Sequence, residues 1–120
     1  MVISNSYEYS NKSYIDELLS HNEDYFSKAL DFIENNLKKK SKILDYGCGT
    51  GNLISILNSL GYSDAIGVDL DLVTINTGRD NKQIDNIYSL DEIRLIDGVY
   101  DLVVTNNVIE HVTDVKSFLK

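Results

Sequence analysis

The chain has 120 residues, 42% of them hydrophobic and 25% charged, with a formal net charge of −8. That is the size and balance of one small globular domain, and it excludes a disordered tail, a collagen-like repeat and a disulfide scaffold. So acidic a chain suits no nucleic-acid partner, no apolar run approaches the ~18 residues of a membrane span, and a single Cys48 without a secretory signal points to a cytoplasmic location.

Residues 1–10 are polar and read as a lead-in. From there to Lys40 the apolar residues Ile15, Leu18, Leu19, Phe26, Ala29, Leu30, Ile33 and Leu37 recur at steps of three and four, which predicts helix with one buried face. Ser20 with Glu23 three residues later has the form of a capping box, so two helices should meet near His21. Lys38, Lys39 and Lys40 suit a last helical turn, where cations meet the negative end of the dipole. Residues 1–40 thus form a helical extension ahead of a sheet-bearing domain at 41–120.

The period then changes. Residues 42–46 predict a short strand ending in glycines, and 52–60 a helix stopped by Gly61. Residues 65–68 predict a second strand ending at Asp69, and 72–77 a helix with Gly78 near its end. A weak third strand follows at 86–88 and a fourth, of buried type, at 100–105. Thr113 can cap a last helix holding Val115, Phe118 and Leu119. Strands alternating with helices imply an α/β fold: a parallel sheet with helices on both faces and right-handed crossovers. Ligands of such sheets bind beyond the carboxyl ends of the strands, where Asp45, the glycines, Asp69 and Asn106 fall.

Gly47, Gly49 and Gly51 alternate between a strand and a helix, where glycine permits positive φ and close backbone approach. The spacing departs from a dinucleotide fingerprint, because its third glycine would fall on Asn52. No lysine lies between Lys42 and Lys82 to make a phosphate-binding P-loop. Asp45, two residues before the first glycine, would repel a pyrophosphate and attract a cation. S-adenosylmethionine carries an ammonium and a sulfonium and has no phosphate, so it fits. Asp69 lies 22 positions after Gly47, about where an acid takes both ribose hydroxyls; the alternative is a helix N-cap.

Residues 43–51, Gly67-Val68-Asp69 and residues 100–112 together resemble the class I S-adenosylmethionine-dependent methyltransferases, most of all the small-molecule branch with the ubiquinone-biosynthesis O-methyltransferases. The resemblance covers about residues 40 to 120. It implies a Rossmann-like sheet with strands in the order 3-2-1-4, S-adenosylmethionine as cofactor and a small-molecule methyl acceptor. It assigns Asp45 and the backbone of Gly47, Cys48 and Gly49 to the methionine end and Asp69 to the ribose. Leu70 packs on the adenine, the turn Ser89-Leu90-Asp91 sits at its edge, and Asn106 lies under the methionine. Where many relatives place an acid just after the third strand this chain has Ser89, with Asp91 as the available substitute. Relatives also continue with three more strands.

His111 is the candidate general base, since its ordinary pKa lies near neutrality; the alternative is that Glu110 and His111 only fix the loop after strand four. A metal site is not expected, because Asn107 stands where metal-dependent relatives carry a second acid. Cys48 is read as a small side chain rather than a nucleophile. Two other functions remain open: a nucleotide-binding module of the same sheet type, and a non-catalytic S-adenosylmethionine-binding protein or a fragment of a longer enzyme. As the last strand of the predicted sheet, residues 102–104 would be an apolar, unblunted edge. A longer polypeptide, or a two-fold partner in a homodimer, is expected to cover it.

Overall fold

The computed structural model describes residues 16–17, 19–92, 99–105 and 108–110, the last three by backbone. The lead-in, Asn106, Asn107, His111 and the helix expected after Thr113 lie outside the described residues.

Residues 16–17 and 19–20 are helical, and after them follow α1 (Ser27–Asn36), β1 (Ile43–Tyr46), α2 (Asn52–Ser59), β2 (Ala65–Asp69), α3 (Leu72–Lys82), β3 (Ile87–Ser89), β4 (Leu102–Thr105) and β5 (Val108–Glu110). The strands form one sheet in the order β3-β2-β1-β4-β5. The first four are parallel: Ile43 pairs with Ala65 on one side and with Leu102 on the other, and Gly67 pairs with Ile87. The expected order 3-2-1-4 is therefore present.

Side-chain alternation divides the strands between two apolar clusters. Ile43, Ala65, Ile87, Leu102 and Val104 face α1, α2 and α3, where Leu30, Ile33, Leu53, Ile54, Leu57 and Ile75 complete the larger core. Leu44, Val68 and Val103 face the other way and join Tyr100, with Tyr46, Ile66, Tyr88 and Leu90 packed around them. By the same alternation Asp45, Gly67, Asp69 and Ser89 lie on the helix-bearing face.

Three expectations need correction. Strand four is not an edge: β5 pairs with it antiparallel, Thr105 opposite Val108 and Val103 opposite Glu110. Two asparagines separate these strands in sequence, a spacing that suits a tight hairpin. The homodimer through that edge therefore loses its reason, and Glu110 belongs to a strand rather than a loop. The capping box at Ser20 is also absent. Ser20 Oγ donates back to the Glu17 carbonyl, and Asn22 Oδ1 instead accepts from the Asp24 and Tyr25 amides. The lysines, finally, do not end a helix. Leu37 turns the chain extended at φ −118°, ψ 159°, so α1 closes at Asn36 before Lys38. In addition α3 runs to Lys82, five residues beyond the expected end, and carries Gly78 in its interior.

Candidate functional site

The site is built where β1, β2 and β3 end. Between β1 and α2 the chain turns through three glycines in left-handed backbone, Gly47 at φ 89°, Gly49 at 61° and Gly51 at 86°. A side chain at any of these would be strained, which explains why the loop alternates glycine with other residues. Gly51 leads into α2 and packs against Ile84 and Ile87, whose methyls would lie about 3 Å from a Cβ there.

The amides of this loop point inward. Gly47 and Cys48 donate to the Val68 carbonyl at 2.8 and 2.9 Å, and Gly51 donates to the Cys48 carbonyl at 3.0 Å. Gly49 donates to Asp69 Oδ2 at 2.8 Å. An anion cradle needs free backbone N–H groups, and these four are consumed within the chain.

Asp69 is the joint of the site. Beyond Gly49, its Oδ1 accepts from the Leu70 amide at 2.8 Å and the Asp71 amide at 3.3 Å. Its own carbonyl accepts from the Leu90 amide at 3.0 Å. The helix N-cap that Asp69 could have been is Asp71, whose side chain accepts from Val73 at the start of α3. Leu70 is 71% exposed, an apolar side chain presented to solvent beside the carboxylate, while Leu90 is half-buried in the smaller core.

Asp45 is 6% exposed, and no hydrogen-bond partner for its carboxyl is found among the described residues. Burial first, and the Asp69 carboxylate second, push its pKa from 3.8 up to about 7. A buried acid without a partner is costly, and a bound cation would offset that cost by stabilising the charged form. The Cys48 thiol is pushed well above its ordinary range by burial and then by Asp45 and Asp69, so it stays protonated and unreactive. Its Cβ and Sγ fill the space that Gly67 leaves open.

The turn after β3 holds features that sequence reasoning misses. Ser89 and Glu92 cap each other: Glu92 Oε1 accepts from the Ser89 amide at 2.9 Å and Ser89 Oγ from the Glu92 amide at 3.3 Å. The Glu92 carboxylate also takes both arms of Arg79 at 3.0 and 2.9 Å, which holds its pKa below the ordinary value. Asp91, the expected substitute acid, is exposed. The S-x-x-E spacing is the signal that could have found this cap. Asn52 is a second such residue. Its amide reaches the His21 carbonyl at 2.5 Å and its Oδ1 accepts from Thr50, so it ties the turn at His21 to the glycine loop.

The pole therefore presents acceptors: two carboxylates, one of them unpartnered among the described residues, and a loop with four amide donors turned inward. Of the expected site residues the structure brings Asp45, Gly47, Cys48, Gly49, Asp69 and Leu70 to one end of the sheet, with Leu90 beneath. Asn106 and His111 lie outside the described residues. Among the described residues no three His, Cys, Asp or Glu side chains gather as a metal ion would require.

Comparison with known proteins gives a consistent picture. A family model described as a methyltransferase domain matches residues 18–120. The ribosomal protein L11 methyltransferase of Neisseria gonorrhoeae is 38% identical over 81 residues, which make up 65% of this chain and 27% of that protein. The structure of a ribosomal protein L11 methylase from Lactobacillus delbrueckii subsp. bulgaricus is 25% identical, with a TM-score of 0.51 over 64% of this chain and 43% of that one. A SAM-dependent methyltransferase from Thiobacillus denitrificans, in complex with S-adenosyl-L-homocysteine, gives a TM-score of 0.57 over 88% of this chain and 44% of that one. At 14% identity that last likeness shows the fold alone. The chain thus spans about 27% of the length of the Neisseria relative.

Proposed function

The chain belongs to the methyltransferase-domain family, and from that premise we propose that it binds S-adenosylmethionine at the carboxyl end of its sheet and serves methyl transfer. The observation that carries this reading is the acceptor-rich pole: Asp45 buried without a hydrogen-bond partner among the described residues, beside a glycine loop in which the Gly47, Cys48, Gly49 and Gly51 amides are already bonded. A dinucleotide would bring a pyrophosphate to two carboxylates and to a loop with four amides already engaged. An ammonium or sulfonium meets the opposite field.

In this reading Asp45 and the loop carbonyls take the charged methionine end. Asp69 takes the ribose hydroxyls through Oδ2, which among the described residues accepts only the Gly49 amide. Leu70, exposed beside it, covers the adenine. S-adenosylmethionine, when bound, supplies a methyl group already activated on a charged sulfur. The chain's task is then to fix that methyl in line with an acceptor and to exclude water. Where the acceptor must lose a proton, His111 is the residue the sequence offers as base.

The acceptor has two readings. The likeness of residues 43–51, 67–69 and 100–112 together to the ubiquinone-biosynthesis branch supports a small molecule. The sequence relatives named as ribosomal protein L11 methyltransferases support a protein. Methyl transfer from radiolabelled S-adenosylmethionine, run in parallel on ribosomal protein L11 and on a panel of small phenols and amines, separates them. Label is expected in one arm only. Absence of label in both arms, together with no binding of S-adenosylhomocysteine, overturns the proposed function.

A further inference from the structure

We propose that Arg79, acting through Glu92, is the positioning residue that sets the base end of the cofactor site and so its preference for adenine; this rests on the function proposed above. The turn Ser89-Leu90-Asp91 is closed by the Glu92 amide on the Ser89 carbonyl at 3.1 Å, and two further sets of hydrogen bonds orient it. One is the Leu90 amide on the Asp69 carbonyl, 3.0 Å. The other is the reciprocal cap between Ser89 and Glu92. Glu92 can close that cap only if its carboxylate is aimed at the Ser89 amide, and Arg79 does the aiming. Its two terminal nitrogens hold the two carboxylate oxygens at 3.0 and 2.9 Å, a planar fork that fixes direction as well as distance.

Arg79 is itself fixed. Its Nη2 donates to the Ile87 carbonyl of β3 at 2.8 Å, its Nη1 to Asn76 at 3.1 Å, and its guanidinium lies 5.9 Å from the Tyr88 ring centroid. The residue before it, Gly78, lies against the glycine loop so closely that a Cβ would come 2.1 Å from the Thr50 carbonyl oxygen. Neighbouring residues of α3 thus touch both halves of the site, one the glycine loop and the other the turn after β3. The Arg79–Glu92 pair is partly exposed, with side chains 25% and 36% accessible. As an ion pair alone it contributes little to stability; its consequence is the direction it gives to the turn. It also answers the missing acid after β3, because Glu92 supplies a carboxylate to that turn from three residues further along.

The test is calorimetric titration with S-adenosylhomocysteine and with S-inosylhomocysteine, which differs only at the base edge. The wild-type chain should prefer the adenosyl compound. Arg79→Gln and Glu92→Gln should each weaken adenosyl binding about tenfold and bring the ratio of the two affinities close to one. Arg79→Lys, which keeps the charge and loses the fork, should recover the ratio only in part. The double variant should be no worse than either single one. A purely structural role would lower the unfolding temperature and weaken both ligands equally, leaving the ratio at its wild-type value; that result overturns the inference. A wild-type chain that binds neither compound overturns the proposed function and this inference with it. Normal wild-type preference retained in both Gln variants overturns this inference alone.

Discussion

The two ends of the sheet handle their charges in opposite ways. At the amino end, ahead of β1 and β4, Lys39, Lys42 and Asp101 are engaged within the chain. Lys39 donates to the Leu60 carbonyl at the close of α2 and sits 4.3 Å from the Tyr62 ring centroid. Lys42 lies over Tyr100, and its amide is held by Asp101. At the carboxyl end Asp45 is buried with no such partner among the described residues, Asp69 stands beside it with the same sign, and Leu70 is exposed. One end is closed for stability. The other keeps an uncompensated field, which is stabilised when a ligand of the right charge arrives.

The contrast can be broken most sharply at Asp69. Asp69→Ala removes the acceptor of three backbone amides and, in the proposed complex, the hydroxyl contacts. Two charge-assisted hydrogen bonds of about 1.5–3 kcal/mol each predict a loss of S-adenosylhomocysteine affinity of about a hundredfold or more, read by calorimetry. Gly78→Ala comes next. Its methyl collides with the Thr50 carbonyl rather than with a flexible side chain, so overpacking should cost about 1–3 kcal/mol. The expected signs are a lower unfolding temperature and weaker ligand binding together.

A pH series sharpens the comparison further. Because Asp45 is raised from 3.8 to about 7, the folded chain holds a proton that the unfolded chain has lost in that interval. Stability from this group is present at the acid end and is lost as pH rises through about 7. Cation affinity runs the other way: it should rise by at most about tenfold per pH unit up to about pH 7, then level off. Asp45→Asn should flatten both curves. A wild-type affinity that does not vary between pH 5 and 8 contradicts the assignment of Asp45. The smallest effect belongs to the amino end. Lys39→Ala should cost about 0.5–1 kcal/mol of stability through the lost ring and carbonyl contacts, with ligand affinity unchanged.

Much of this architecture is legible in the sequence. The switch from helical to strand period at Lys42, the glycines and Asp69 locate the sheet and the acceptor-rich pole, because local pattern dictates them; the strand order is what the family resemblance implies. What escapes depends on choices between equivalent local signals. Two S-x-x-E boxes occur in the chain, at Ser20 and at Ser89. Only the second forms, because Arg79 orients its glutamate, while Asn22 supersedes the first. Gly78 reads as a helix end because glycine often is one, yet its purpose is the close approach of Thr50 from a distant stretch of chain. The hairpin to β5 escapes because Glu110 and His111 read as part of a loop after strand four. Lys39 matches the nearest helix end in sequence, whereas the end it meets in space is that of α2.

The central claim is that the carboxyl end of this sheet is a cation pole and not a phosphate site. Parallel calorimetric titrations of the wild-type chain with S-adenosylmethionine and with NAD, at the same neutral pH and salt, test it most directly. The account predicts saturable, stoichiometric binding of S-adenosylmethionine and much weaker binding of NAD. Tighter binding of NAD would contradict it.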